Sequence, residues 1–354
     1  FGESAGAVAV HLHMLSELSV RIFRKAIAQS GNALTPWGLN RHPKFHAAQF
    51  ALDLGCPPSP TSKMVECLSS MDAHKLVEAQ LKRPSGSLWG FHWAPVVEVD
   101  RGVNETTAFI TKHPLELIAA QNFTSKVPLL TGIVKNEGSD IVTSMILRSP
   151  ELISQMNTNW SNAAPQLLFY EDHFIQNPKH GNASEKIRDF YFGQNPIGLE
   201  TRQTLTDLIS DRYFIHPTFA GAKIHSEIAP TYAYLVTFND LSRPPLLIDS
   251  HSDASGQVDE VPYLFPLPGR PGRGTKREEM FSKNLVKLWT SFATMGKPDK
   301  LWGRATSWPP VKASDKIFTW YKLDNDTQLL EDPFHWRMRF WDHLLATDLK
   351  GMAR

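Results

Sequence analysis

The opening residues of this 354-residue chain hold the arrangement best suited to nucleophilic chemistry: Gly2, Glu3, Ser4, Ala5 and Gly6 spell Gly-x-Ser-x-Gly. Small residues on both sides of a serine permit a sharp strand-to-helix bend that lifts its Oγ clear of neighbouring side chains. A helix-compatible run over 5–15 follows at once, and the N–H groups at its start, that of Ala5 included, would point at an oxygen gaining negative charge. Read alone, the same serine has a lesser alternative as a helix cap, and the pattern takes its weight from context. A second candidate, Glu137, stands in Asn136-Glu137-Gly138 just after the apolar run 129–134. A carboxylate there could hold an imidazole in one tautomer, although Asn and Gly also mark ordinary solvated turns.

Such residues need a scaffold, and short apolar runs alternating with amphipathic stretches supply one. Residues 25–29, 129–134 and 231–238 read as buried strands, and 5–15, 45–54, 199–209, 214–226 and 276–295 read as helices, the last stopped by Gly296 with Pro298 beyond it. This alternation predicts α/β architecture around a largely parallel sheet. Neither an internal repeat nor a long linker divides the chain, so one domain is expected. The glycine-rich stretch 267–276 lacks the Gly-Lys-Ser/Thr ending of a phosphate-binding loop and reads as a surface loop.

Composition narrows the function classes. With 42% hydrophobic, 21% charged and 10% aromatic residues, the chain is neither disordered, collagenous nor a coiled coil. Thirty-seven Lys and Arg against thirty-six Asp and Glu give a formal charge of +1, which offers no general field for nucleic acid or an anionic membrane. The sequence has no apolar run of transmembrane length, and no membrane span is expected. His11 and His13 lie two apart on a helix and diverge, so no metal site is expected, and no cofactor motif is present. The chain opens on Phe1 and enters the serine motif immediately, which reads as part of a longer protein. Cys56 and Cys67 are the only cysteines, open to either a disulfide or two reduced buried thiols. Sequons at Asn104, Asn122, Asn159, Asn182 and Asn325 favour the secretory route.

Phe1 to Gly6, then His11, Leu12, Leu15, Phe23, the stretch 26–31 and Trp37 together resemble the type B carboxylesterase and cholinesterase family, with insect esterases the nearest flavour. Gly132, Asn136-Glu137-Gly138, the stretch 211–217, Asp259-Glu260 with Tyr263-Leu264-Phe265, and Phe340-Trp341 continue the resemblance in the family's order. It implies an α/β-hydrolase fold, incomplete at the N-terminus, with 1–354 as a single domain. The implied reaction is hydrolysis of carboxylic esters through an acyl-enzyme, with a small-molecule ester or apolar ligand as partner. Ser4 would be the nucleophile, Glu137 the acid and Ala5 an oxyanion donor, while Trp89 and Phe91, and less clearly Trp93, would shape the acyl pocket or else serve as core aromatics. The family also implies a Cys56–Cys67 disulfide and, with the sequons, a secreted or luminal protein.

One position departs from the family. Where relatives carry a histidine before Asp-Glu, this chain reads Gly256-Gln257-Val258-Asp259-Glu260. A neutral amide neither takes the serine proton nor returns it to a leaving group near neutral pH, so turnover should fall by about four to six powers of ten. His251, six positions upstream, is an alternative base if its loop is reshaped. The substitution also fits a non-catalytic binding or adhesion module of the neuroligin, neurotactin or glutactin type, or a stoichiometric ester sink.

Overall fold

The computed structural model describes residues 1–82, 93–98, 108–170, 183–238, 256, 258–266 and 274–352. One six-stranded sheet runs through it: β1 (Gly2–Glu3), β2 (Ala26–Gln29), β3 (Leu129–Val134), β4 (Thr231–Val236), β5 (Thr319–Leu323) and β6 (Gln328–Glu331). The strands lie side by side in sequence order. β1 to β5 are parallel, and β6 returns antiparallel to β5. Every residue of β2, β3 and β4 is buried, as expected of parallel strands covered on both faces.

The two-residue period of the strands divides the core into two layers. Leu129, Ile133, Ala233 and Leu235 point into the larger one, which also receives Ala7, Leu12 and Leu15 of α1 (Ala5–Leu15) and Phe219 of the His216–His225 helix. Leu130, Val134, Tyr232, Tyr234 and Val236 point the other way, onto Phe281, Leu285, Leu288 and Phe292 of the Lys276–Met295 helix. That helix starts with a Thr275/Glu278 capping box and stops at Gly296, whose φ of 73° suits a residue without Cβ.

Several boundaries differ from the sequence reading for identifiable reasons. The helix expected over 45–54 is Pro43–Asp53, because a proline tolerates the first helical position. The segment expected as one helix over 214–226 begins earlier, as a π-helical turn, Asp211–Ile215, that leads into His216–His225. Pro217 lacks the N–H that would bond back four residues and its ring crowds that carbonyl, which accounts for the widened turn. β4 ends at Val236 rather than at 238, whereas the helix over 276–295 has the bounds read from the sequence; of the loop before it, 267–273 lie outside the described residues. The β5–β6 hairpin was not anticipated, since half-exposed short strands such as Gln328–Glu331 carry little periodic signal.

Cys56 and Cys67 form a disulfide that ties the end of Pro43–Asp53 to Thr61–Ser69, around a small cluster with Ala51 and Met64. Among the described residues no helix is long and apolar enough to cross a membrane.

Candidate active site

Ser4 sits at the junction of β1 and α1 with φ 56° and ψ −118°, a strained conformation for a residue with a Cβ. Its N–H donates to the Gln29 carbonyl of the neighbouring strand (2.9 Å), and its own carbonyl accepts from Ala7 and Val8 (3.0 and 3.1 Å). The bend survives because its surroundings are stripped of side chains. A Cβ on Gly2 would overlap the Gly6 backbone, and one on Gly31 would come within 2.8 Å of the Ser4 carbonyl oxygen. Gly6 differs from expectation, since a Cβ there meets nothing. Ser4 makes no side-chain cap to α1, which removes the capping explanation. Ala5 is the first residue of α1, so its N–H is one of the four with no intrahelical acceptor.

Glu137 lies in the turn after β3 and is buried. Its Oε1 accepts the Val134 N–H at 2.9 Å. The turn is pressed onto the Arg202–Ser210 helix: Gly138 N–H donates to Ser210 Oγ (2.9 Å), and a Cβ on Gly138 would come within 2.7 Å of the Thr206 carbonyl. Glycine at 138 is therefore a close-approach requirement that seats Glu137, not a mark of a loose turn.

Two further carboxylates accompany Glu137. Glu3, beside the serine, and Glu260 both carry an oxygen without a hydrogen-bond partner among the described residues, as does Glu137. Glu260 Oε1 accepts from Gln29 Nε2 (3.1 Å), and Gln29 Oε1 accepts from Trp289 Nε1 (3.0 Å). Burial first, and then the Glu260 charge, push Glu3 up to about 8. Burial likewise pushes Glu260 up to about 7, opposed by the Gln29 bond. Glu137 rises well above the usual carboxylate range through burial and then Glu260, opposed by the Ser30 hydroxyl and the Val134 N–H. Tyr234 faces all three, and its phenol is raised well above its ordinary range by burial and then by their charges. Its ring lies where a Cβ on Gly132 would be, which gives that glycine a physical reason. Among the described residues no cation acts on Glu137.

This cluster escaped the sequence reading. The available signal was a glutamate immediately before the serine, in a strand whose neighbours are buried.

Only the residues flanking the third position of the expected triad are described. Gly256 forms a parallel bridge with Asn136, the residue before Glu137, and Val258 has a φ of 73°. Gln257 itself, with His251, Trp89, Phe91, Asn104 and Asn182, lies outside the described residues. Trp93 is half exposed and packs edge-on against Phe50 at 5.0 Å between ring centres. Asn122, Asn159 and Asn325 are exposed. His216 bonds to Asp342 (3.0 Å), and His11 is buried with Nδ1 accepting the Ala33 N–H (3.0 Å). Among the described residues no group of three metal-binding side chains converges.

A parallel sheet carrying a serine on a strained strand-to-helix bend, with an acidic residue in the turn after a later strand, defines an α/β-hydrolase. The chain belongs to the carboxylesterase family, whose model matches residues 1–341. It is 30% identical to a carboxylic ester hydrolase of Bombus ignitus over 92% of its own length and 57% of that protein's. It is 28% identical to esterase FE4 of Myzus persicae, over 91% of the chain and 56% of the relative. With mouse bile salt-activated lipase it shares 29% identity over 84% of the chain and 48% of the relative. The chain thus spans about half the length of these relatives.

Proposed function

We propose that the chain is part of a secreted or luminal carboxylesterase-type protein whose serine chemistry is impaired at its proton-transfer step. In the complete reaction Ser4 Oγ attacks the ester carbonyl, its proton passes to a base and then to the departing alcohol, and water later releases the acid. Ser4 on its bend and Ala5 at the helix start suit attack and oxyanion stabilisation. Glu137, held by Val134 and Gly138, suits the orienting acid. The observation that carries the impairment is Gln257, placed by sequence between Gly256, which is bridged to Asn136, and Val258. A side-chain amide accepts no proton at neutral pH, so attack must lose its proton to solvent.

The disulfide and three exposed sequons support an oxidising, glycosylating compartment. Gln257 also favours a second reading, a non-catalytic binding module that keeps the fold; retained Ser4 and Glu137 weigh against it. Hydrolysis of short p-nitrophenyl esters by the full-length protein separates the two. Impaired chemistry predicts weak turnover abolished by Ser4→Ala and strongly raised by Gln257→His, whereas a binding module gains nothing from the histidine.

A further inference from the structure

α1, the His216–His225 helix and the loop before β3 meet at two buried histidines, His11 and His225, that neither the serine motif nor the carboxylate cluster uses. Phe123, on that loop and itself buried, packs against both imidazoles, at 5.7 Å from His11 and 5.2 Å from His225 between ring centres. The loop is stitched to the end of α1. The N–H groups of Thr124 and Ser125 donate to the Met14 carbonyl (3.0 and 3.1 Å), and Thr124 Oγ1 reaches the carbonyls of Met14 and Ser16 (3.0 Å each). The two rings lie close enough for a charge on His225 to act on His11.

Each ring commits one nitrogen to the backbone, and that bond fixes where its proton sits. His11 Nδ1 accepts the Ala33 N–H (3.0 Å), so the neutral ring carries its proton on Nε2, and that nitrogen can only donate. A carbonyl can only accept, so His225 Nε2 holds the proton it gives to the Val127 carbonyl (2.9 Å), and its Nδ1 can only accept. Burial first, and then the charge of His225, lower His11 to about 3. Burial also takes His225 below the usual imidazole range, against the Val127 bond, so both rings are neutral near pH 7. Their two remaining nitrogens are opposite in character, a donor on His11 and an acceptor on His225. Both are buried, and neither has a hydrogen-bond partner among the described residues, so they do not bond each other. Ser125 Oγ, two residues beyond Phe123, is a third buried polar atom without a partner there.

We propose that a single buried water molecule is bound between these rings, accepting from His11 Nε2, donating to His225 Nδ1 and completed by the Ser125 hydroxyl. The ligand must both accept and donate, which few species do. A metal ion is refused because His11 Nε2 keeps its proton, an anion has no hydrogen to give to His225 Nδ1, and ammonium has no lone pair for His11 Nε2–H. Water satisfies both, and a buried water typically makes about three hydrogen bonds to groups otherwise left unpaired. Without it a donor and an acceptor would give up their hydration for nothing. The water is then a strut: it joins α1, which begins immediately after Ser4, to the far end of the His216–His225 helix. It also locks both tautomers, since moving either proton breaks a backbone bond and a water bond together.

A high-resolution crystal structure of the full-length protein and long-range proton–nitrogen NMR correlations of the same protein labelled with ¹⁵N-histidine test this. The map should show one water about 2.8–3.0 Å from both His11 Nε2 and His225 Nδ1. The spectra should show both rings protonated at Nε2 alone, with a cross-relaxation peak from the His11 Nε2 proton to water. His225→Phe removes the acceptor and should lose both the water and that peak, moving the His11 Nε2 proton upfield; the wild-type readings stand whether or not this variant folds. A dry gap, a direct bond between the two nitrogens, a proton on Nδ1 of either ring, or anomalous scattering from a metal between them would each overturn the assignment.

Discussion

The buried carboxylates make stability depend on pH in an unusual direction, and replacing Glu260 by Gln exposes it. Glu3 and Glu260 move from an ordinary 4.5 up to about 8 and about 7 on folding. A raised folded-state value means that the native protein binds more protons than the unfolded chain. The stabilisation is complete below pH 4.5 and is lost as pH rises through the folded values. Between pH 6.5 and 9, linkage gives a loss of about 2 kcal/mol for Glu3 and a little under 1 kcal/mol for Glu260, an upper bound of about 3 kcal/mol for the pair because each charge perturbs the other. Glu260→Gln removes its own share and the second-largest cause of the Glu3 shift, so the loss should fall to about half. Urea midpoints of both proteins at pH 6.5, 7.5 and 9, converted with a common m value, provide the assay. The buried histidines oppose this with a rise of about 0.4 kcal/mol each as their unfolded-state rings finish losing protons above pH 6.5, a contribution common to both proteins that cancels in the comparison. An equally steep decline in the variant, or stability that rises with pH in the wild type, would refute the reasoning.

On the acid side the sign reverses. Burial, then the neighbouring His225, lower His11 to about 3, so its contribution is present above pH 6.5 and lost as pH falls toward 3, by several kcal/mol at most; His11→Gln should flatten that limb in acid-denaturation curves. Gly31→Ala forces a Cβ against the Ser4 carbonyl and should cost about 1–3 kcal/mol while slowing labelling of Ser4, read by thermal melting and by mass. Cys67→Ala opens an 11-residue loop and should lower stability by about 3 kcal/mol, an effect that disappears in reductant.

The parts of this molecule governed by local chemistry were legible in the sequence. Thr275, Glu278 and Gly296 delimit a helix because capping is a short-range matter, and 129–134 could be read as a strand because all six residues are buried. The Gly-x-Ser-x-Gly bend was legible too, although its steric basis proved to lie in Gly2 and in Gly31, which is remote in sequence. What stayed hidden depends on the register between distant strands. Nothing local to Glu3, Tyr234 or Glu260 says that they meet, and Glu137 reads as a solvated turn residue until Gly138 is seen pressed on Thr206. The π turn before Pro217 and the half-exposed β6 fell between the helical and strand periods.

The central proposal is that Ser4 sits on a suitable bend while Gln257 stands where the family carries its proton-transferring base. Its most direct measurement is the rate at which a fluorophosphonate adds to Ser4 in the full-length protein, followed by intact mass and mapped by peptide, for the wild type beside Gln257→His. The account predicts slow labelling in the wild type and an increase of at least about a thousandfold with the histidine, all of it on Ser4. Rapid wild-type labelling that the substitution leaves unchanged would contradict it.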